Sequence, residues 1–536
     1  MRMPDARTMP GLMDEMAERY PDREFLVYND ERLTYPQFRE RVRETAKALH
    51  AMGVREGETV ALLMGNQTEW LLIAFAVALL RARLLSVNTW WQARELQHAL
   101  NHAEAEYLIV VDRYLRQDYV GMLKEMGDLG KALPHLKRII CYGKGGAPDM
   151  LSPDTLSYDD VVAGAASVPD AVIDASQATV DPDDVVFLLY TSGSSAFPKA
   201  VPIAHRSMIE NMHGIGERMH LTEADRIHTV ISLFWGLGCM NAVFAIMTHG
   251  ACIVLQHNFD AGEALALMER ERCTGTYAMA NMVIALYNHP DRKTRDLSAM
   301  RTGVTLAEAV DMMVEMGVTE IASVYGLTES YGNSTVCDGR DPIEYKRRTA
   351  GPPLPGNEIV IADPETHAPL PQGETGEIKI RGHIIKEYWK DPEATAKSFD
   401  DEGFLLTGDL GRFDERGYLE FRGRLKEMIK TGGMNVSPAE VEVVLREHDA
   451  VDQAIVVGVP DPKRDEILVA AIVLKPGKHQ TASELEAYCR AQMARYKVPS
   501  RFEFMRSEDV PLTDTGKVSK RLLQDRFQTA AEAATG

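Results

Sequence analysis

Apolar residues recur every three to four positions in Pro36 to Met52, Glu69 to Ala82 and Ala93 to His102, which predicts a helix over each. Short apolar runs alternate with them: "TVALLM" from Thr59, "YLIVV" from Tyr107, "RIICY" from Arg138 and "ACIVL" from Ala251. That alternation predicts an α/β fold with mostly parallel sheets covered by helices. The segment from Gly145 to Asp184, rich in Ala, Asp, Ser and Pro, reads as a long surface connection. From Asn357 the texture changes. "NEIVIADPETHAPLPQGETGEIKIRG" alternates apolar and polar residues between turn clusters, which predicts antiparallel strands in a small barrel-like subdomain. After "GYLEFRGRLKEMIKTGG" come "SPAEVEVVLREH", "VDQAIVVGVPD", "EILVAAIVLK" and "TASELEAYCRAQM". This helix, strand, strand, helix order predicts a small α+β domain of roughly a hundred residues. The boundary falls near Arg424 to Lys426, giving a large domain over 1–424 and a small one over 425–536. No internal repeat or low-complexity block interrupts the chain.

Composition narrows the classes. The chain has 536 residues, 45% hydrophobic and 26% charged, as in an ordinary globular protein of more than one domain. A net charge of -20 repels phosphate backbones and argues against nucleic acid as a partner. Nucleotides remain open, because local loops bind them. The most apolar stretch, "EWLLIAFAVALLRARLL", is broken by Arg81 and Arg83 and reads as a buried helix, too short for a membrane span. The start, "MRMPDARTMPGLMDEM", has no apolar signal-peptide core. Six cysteines without a CxxC pair suggest a reduced, cytoplasmic protein. The histidines show no ligand-like spacing, so no structural zinc is expected.

Four segments carry candidate chemistry. In "LLYTSGSSAFPKAVPIAH", Thr191, Ser192, Ser194 and Ser195 put hydroxyls around Gly193 after a strand, and Lys199 adds a cation. Hydroxyls, amides and a lysine in one turn suit a polyphosphate, although the Walker A spacing is absent and a polar surface turn has the same composition. "VYGLTES" places Gly326, Thr328 and Glu329 together, with Glu329 suited to Mg2+ and Thr328 to a phosphate; a capped loop is the plainer reading. In "FLLTGDLGRF", Asp409 reads as a carboxylate in a turn after a strand, suited to two ribose hydroxyls or to an Asx turn. "VPLTDTGKVSKR" leaves Lys517 on a glycine-led turn, where a lone lysine is most often merely solvated.

In this order and spacing the four segments resemble the adenylate-forming superfamily of acyl-CoA synthetases, firefly luciferase and nonribosomal peptide adenylation domains. The resemblance runs from about Leu33 to about Arg521. It implies an enzyme that joins a carboxylic acid to AMP and passes the acyl group to CoA, with ATP, Mg2+ and CoA as cofactor and co-substrates. It implies that Thr191, Ser192, Gly193, Ser194 and Ser195 form the phosphate loop with Lys199. By the same resemblance Tyr325 lies at adenine, Gly326 belongs to the AMP-binding set, Thr328 lies at the α-phosphate, and Glu329 with Thr191 at the metal. Asp409 and Arg424 hold the ribose, and Lys517 bridges carboxylate and phosphate. Lys426 matches the hinge about which a mobile small domain rotates between half-reactions. Gly432 and Gly433 leave a bare surface for the pantetheine arm of CoA, or form an ordinary turn. Ala196 and Ala200 stand where the family's loop usually has glycine. A stiffer loop and an impaired one both follow, since Ala does not freely adopt positive φ.

"ISLFWGLGCMNAVFAIMTHG" matches a wall of the acid pocket, with Trp235 where His is frequent, and Gly303 in "MRTGVTLAEA" matches a second wall. No Asp is present to pair with an amino-acid ammonium. Phe234, Trp235, Met240 and Met282 suit an apolar acid of medium size, medium-chain, aryl or cyclic. Two alternatives stand beside the CoA ligase: a stand-alone enzyme loading a carrier protein, and a non-catalytic nucleotide-binding regulator. The chain is expected to act as a monomer or homodimer.

Overall fold

Each apolar run and helical period forms the element it predicts. Thr59–Leu63, Tyr107–Val111, Arg138–Tyr142 and Cys252–Leu255 are strands, and Tyr35–Met52, Thr68–Leu79 and Ala93–His102 are helices. The computed structural model describes residues 2–143, 155–191, 198–305, 309–431, 434–461, 464–493, 495–513 and 517–535. Local chemistry sets the helix ends. Thr34 caps Tyr35–Met52 in a reciprocal box with Gln37, Pro36 sits in the first turn, and Gly53 closes the helix at φ +122°. Thr68–Leu79 is buried from Trp70 to Leu79, as its unbroken apolar circumference requires. No described helix is long and apolar enough to cross a membrane.

The chain divides into two compact units. The large one comprises Met1–Ile359, Ile380–Leu405 and Gly417–Leu419, and the small one Val360–Lys379, Leu406–Arg416 and Glu420–Gly536. Among the described residues, the large unit holds two large sheets and a two-stranded ribbon of Arg113–Tyr114 and Gln117–Asp118. The seven-stranded sheet runs in the order Lys199–Ala204, Val185–Thr191, Arg83–Ser86, Thr59–Leu63, Tyr107–Val111, Arg138–Tyr142, Thr155–Ser157. All its pairs are parallel except the edge hairpin formed by Val185–Thr191 and Lys199–Ala204. The eight-stranded sheet has a parallel centre through Glu320–Tyr325, Thr302–Thr305, Gly275–Tyr277, Arg226–Thr229, Cys252–Leu255 and Glu24–Tyr28. Antiparallel strands close both of its edges. The segments after Thr191 and after Tyr325 therefore leave the carboxyl ends of strands at sheet margins, where open α/β sheets place ligands.

One expectation fails. The described part of the stretch from Gly145 to Asp184 is structured: strand Thr155–Ser157, helix Tyr158–Ala163, a 3-10 turn Gly164–Ser167 and helix Asp170–Gln177. Tyr158, Val161, Ala165 and Ile173 are buried. These elements are one or two turns long and bury one or two residues each, so no period can show in the sequence.

In the small unit, Val451–Asp461 and Asp465–Leu474 form a long antiparallel pair, extended by Ile429–Thr431, Met434–Val436 and the parallel strand Arg501–Phe504. Alternate residues serve two cores. Ala454, Val456, Leu468, Ala470 and Ile472 pack with Val441, Leu445, Leu485 and Cys489. Ile455, Val457, Val459, Val469 and Ala471 pack with Leu523 and Phe527. Helices on both faces explain why these strands read as continuous apolar runs. A four-stranded sheet of Glu358–Ala362, Gly376–Arg381, Leu405–Phe413 and Leu419–Arg424 accounts for the alternating stretch that follows Asn357.

Candidate active site

The hairpin after Tyr190 fixes two of the expected residues. Thr191 is directly opposite Lys199 across the antiparallel pair, so the lysine starts a strand instead of lying in the turn. Ser192, Gly193, Ser194, Ser195 and Ala196 fall outside the described residues. Ala200 is buried, pairs with Tyr190 and has no positive φ, so its methyl is unstrained there. His102 Nδ1 lies 2.8 Å from the Tyr190 hydroxyl and ties this strand end to the Ala93–His102 helix.

Tyr325 ends its strand and is buried. Gly326 is obligatory: a Cβ there would lie 1.9 Å from the carbonyl oxygen of Gly332. The chain then turns through Thr328–Ser330, and Tyr331 adopts a left-handed conformation. Asn211, fully buried, donates from Nδ2 to the carbonyls of Tyr331 (2.9 Å) and Asn333 (2.8 Å) and holds this turn in place.

Glu329 does not stand alone. The Tyr388 hydroxyl donates to its Oε1 at 2.9 Å, and the Lys199 ammonium lies 4.6 Å from the centre of the same phenol ring. Burial and the Glu329 charge push the Tyr388 phenol well above the usual tyrosine range, so it stays a donor. Tyr388 is positioned by the next helix: Asp391 caps Pro392–Ser398, and the Thr395 hydroxyl accepts from the Tyr388 amide at 3.0 Å. The Trp389 amide also donates to the Ala200 carbonyl at 3.0 Å, stitching this segment to the hairpin.

The expected acid wall lies beside these groups. A Cβ on Gly236 would be 3.4 Å from Leu189 Cδ1 and 3.9 Å from Thr328 Cγ2, so the residue after Trp235 faces the Thr328–Ser330 turn. Trp235 packs in a three-ring cluster, 4.9 Å from Trp90 and 5.4 Å from Phe234, with Trp90 5.1 Å from Phe234. Gly236–Ala242 winds as a π-helix, a feature frequent at functional sites. Met240 is fully buried and Met282 half-buried. Gly303 is mid-strand, and a Cβ there would meet Met313 Cε at 2.7 Å and the Thr276 carbonyl at 2.9 Å, so packing alone requires glycine.

In the small unit, Asp409 lies within the strand Leu405–Phe413, not in a turn as expected. Gly408, at φ +68°, supplies the local irregularity that made the sequence look like a turn. Asp409 is 2% exposed and its Oδ1 lies 3.1 Å from Arg424 Nε. The Thr407 hydroxyl accepts from the Asp409 amide at 3.1 Å and donates to the Ile378 carbonyl at 2.6 Å. Arg424 ends the strand Leu419–Arg424, and Lys426 follows in the 3-10 turn Leu425–Glu427. Lys517 keeps surface access, yet surrounding protein and then the Arg424 charge hold its ammonium below the usual lysine range. The Thr513 hydroxyl accepts from the Lys517 amide at 3.2 Å. Gly432 and Gly433 fall outside the described residues.

Three contributors escaped the sequence reading: Tyr388, Trp90 and Asn211. The aromatic pair before "KDP" and the paired tryptophans of "NTWWQ" were visible signals, but their partners lie over fifty and over a hundred positions away. The expectation of no metal-like histidine cluster is also corrected. The fold brings His213, Glu217 and His249 within 4.8 Å of one another, from two segments whose separation hid the group.

A family model described as AMP-binding enzyme matches residues 13–389, and one described as AMP-binding enzyme C-terminal domain matches 440–517. The chain is 37% identical to YngI of Bacillus subtilis (strain 168), which carries an acyl-CoA synthetase name, over 97% of both. It is 32% identical to a CoA ligase of Rhodococcus jostii (strain RHA1) named for a methyl-dioxo-octahydroindenyl propanoyl group, over 97% of this chain and 98% of that one. Among solved structures, the anthranilate CoA ligase AuaEII with anthranoyl-AMP superposes at a TM-score of 0.84 and 27% identity, covering 99% of this chain and 100% of its own.

Proposed function

We propose this protein's chemistry from one premise: the chain belongs to the AMP-binding enzymes, the adenylate-forming superfamily, and is an AMP-forming acid–CoA ligase. A carboxylate is a poor electrophile. Its oxygen attacks the α-phosphorus of ATP, the bond from that phosphorus to the α,β-bridging oxygen breaks, and pyrophosphate leaves with the bonding pair. The resulting acyl-adenylate is then attacked at carbon by the CoA thiol, which loses its proton as AMP departs with the bonding pair.

The residue roles follow from that chemistry. Two anions must approach each other, so cations and donors must offset their repulsion. Thr191 and Lys199 lie at the pyrophosphate end, with the hydroxyls of Ser192, Ser194 and Ser195 and the backbone at Gly193. Tyr325 lies along adenine, Gly326 beside it belongs to the AMP-binding set, and Thr328 donates to the α-phosphate. Asp409 and Arg424 take the ribose hydroxyls, and Lys517 lies between carboxylate and phosphate in the adenylation step. Glu329, steadied by Tyr388, and the Thr191 hydroxyl offer only hard oxygen donors, which fit Mg2+. That ion, when bound, supplies charge neutralisation on the phosphates. The chain's own contribution is to aim the carboxylate: the Tyr388 proton occupies Oε1.

The observation that carries the reading is the Lys199–Tyr388–Glu329 series beside Thr328 and the Trp235 wall, all in one unit. It supports a polyphosphate site adjoining an apolar acid site. The acid is apolar and of medium size, medium-chain, aryl or cyclic. The Trp90, Phe234 and Trp235 rings support this, as do the relatives named for an indenyl propanoyl group and for anthranilate. Domains at 1–424 and 425–536 turn about Lys426 between the half-reactions, and the 3-10 turn joining two strands there suits a pivot. Rotation withdraws Lys517 and presents Gly432 and Gly433 to CoA. The enzyme works in the cytoplasm as a monomer or homodimer. Six unpaired cysteines fit a reducing compartment.

Acid-dependent exchange of labelled pyrophosphate into ATP, across a panel of aliphatic, cyclic and aromatic acids, tests the first half. CoA-dependent AMP release tests the second. Exchange without CoA dependence would point to a carrier protein as acceptor, and absence of exchange with every acid would leave only a regulator.

A further inference from the structure

Within the small unit, the lysine expected at the carboxylate and the turn expected at the pivot meet through a third group. Lys517 precedes Val518, which bridges Leu512 in antiparallel fashion. The Thr513 amide donates to the Lys517 carbonyl at 2.6 Å, and the Ser519 amide to the Pro511 carbonyl at 2.8 Å. The Leu523 amide donates to the Ser519 carbonyl at 3.2 Å, so this segment runs without slack into the helix Lys520–Thr535. Leu523 and Phe527 anchor that helix against the strands Val451–Asp461 and Asp465–Leu474.

Lys520 opens the helix, three residues after Lys517. Its ammonium lies 3.1 Å from Glu427 Oε2 and 2.9 Å from Glu442 Oε1. Glu427 ends the 3-10 turn Leu425–Glu427 that contains Lys426. Glu442 belongs to the helix Pro438–Arg446, and its Oε1 also accepts from the Val456 amide at 2.8 Å. The two helices serve the two separate cores of the strand pair, so one ammonium joins both faces of the sheet to the turn.

Charge gives this bridge a purpose. Arg424 leads directly into the turn, and its guanidinium repels the Lys517 ammonium. Glu427 comes three residues after Arg424, as Lys520 comes three residues after Lys517. A repelling pair and an attracting pair therefore span the same two segments, and the second offsets the first. Exposed ion pairs add little stability. Lys520 is only 27% exposed and is shared by two carboxylates, so its removal leaves like charges facing each other and the repulsion from Arg424 unopposed.

We infer that Lys520 is a positioning residue for adenylation: by bridging Glu427 and Glu442 it fixes the Lys517 segment to the turn about which the small unit pivots, so that Lys517 reaches the acid and the phosphate aligned. The inference rests on the roles proposed above for Lys517 and Lys426. Lys520 touches no reactant and acts only through Lys517.

Amide hydrogen exchange of the full chain tests the bridge without substrate. Lys520→Met should speed exchange in 511–519 and 425–430 roughly tenfold, and Lys520→Arg, which keeps a charge for both carboxylates, should restore both. Glu427→Gln should also loosen 511–519, although it is remote in sequence. The strand Asp465–Leu474 should exchange as in wild type throughout. Pyrophosphate exchange is then followed with octanoate, cyclohexanecarboxylate and benzoate. Lys520→Met should lower the maximal rate roughly tenfold to a hundredfold with little change in the half-saturating ATP concentration, because misalignment acts on the transition state. Thioester formation from supplied acyl-adenylate should be spared, and Lys520→Arg should regain most of the rate. Unchanged amide exchange of 511–519 in both Lys520→Met and Glu427→Gln overturns the inference. So does a rate loss that Lys520→Arg does not relieve, or one that falls equally on both half-reactions. Lys517→Ala, measured alongside, separates the two levels. If it keeps full adenylation, the role of Lys517 fails and this inference with it; if it loses adenylation while Lys520→Met runs at the wild-type rate, this inference fails alone. Should Lys520→Met not fold, Glu427→Gln decides; should none of the three acids react, the amide measurement decides.

Discussion

The Tyr388 hydroxyl makes one hydrogen bond that matters beyond its size, because the acceptor, Glu329, is the carboxylate proposed to hold Mg2+. A bond to a charged group is worth roughly 1.5–3 kcal/mol. Tyr388→Phe should therefore lower pyrophosphate exchange roughly tenfold to a hundredfold and raise the Mg2+ concentration needed for half-maximal rate. The ring that faces Lys199 remains, so the thermal midpoint should hardly move; a large fall in stability with unchanged Mg2+ dependence would assign the phenol to packing instead. Lys517 makes a different kind of claim. Lys517→Ala should reduce adenylation by roughly two to three orders of magnitude while sparing thioester formation from supplied acyl-adenylate. Equal loss of both half-reactions would remove the lysine from its role. Since the ammonium is the active form and burial with Arg424 lowers its pKa, adenylation should decline on the alkaline side earlier than an ordinary lysine would set. At this scale the sequence was readable where the residue's chemistry is local. Thr191, Thr328, Glu329 and Asp409 announced themselves as donors or carboxylates in turn-like settings. Tyr388 did not, because a tyrosine acquires a role only from what it touches.

Elements were legible in proportion to their length and to the regularity of their burial. The eighteen-residue helix Tyr35–Met52 shows five turns of period and a complete cap. The helix Tyr158–Ala163 shows no period in six residues, and its Ser157 cap, accepting from the Asp160 amide, was hidden in a stretch that looks like a linker. Asp409 was placed in a turn because "TGD" is turn chemistry, yet strand pairing overrode it and left Gly408 to absorb the irregularity. The turn bearing Thr328 depends on a distant element, the helix His205–Arg218, through Asn211. Asn211→Ala would strand two carbonyls and free Asn357, whose amide now donates to Asn211 Oδ1 at 3.1 Å. The expected cost is about 2–3 kcal/mol, read as a lower urea midpoint, together with slower pyrophosphate exchange as the turn loosens. Full exchange activity in a variant of that reduced stability would mean that the turn is held by its own glycines.

Stability of the large unit should depend on pH in a window that the carboxylates do not reach. His205 and His228 are buried neutral, and burial lowers both to about 4. His205 Nδ1 accepts from the Met9 amide, and His228 lies between the Thr276 hydroxyl and the Gln256 amide oxygen. A histidine that is harder to protonate when folded favours the native state fully above its free value near 6.5. That advantage is lost as pH falls from 6.5 towards 4, because the unfolded chain takes up the proton first. Each histidine is worth about 3 kcal/mol over the whole interval and about 2 kcal/mol of that by pH 5. Hydrogen-bonded carboxylates such as Glu217, held at about 2 chiefly by His249, lose their contribution only below about 4.5. The fall between pH 6.5 and 5 therefore belongs to imidazoles. His50, His98, His102 and His383 are also lowered by burial and add with the same sign. The five tryptophans, Trp70, Trp90, Trp91, Trp235 and Trp389, all lie in the large unit, so their fluorescence reports its unfolding without the small one. Urea midpoints followed by tryptophan emission should drop steadily from pH 7 to pH 5. A midpoint constant over that range would show that His205 and His228 are protonated in the native state, and with it that their burial is relieved by water or by rearrangement of the strands that enclose them.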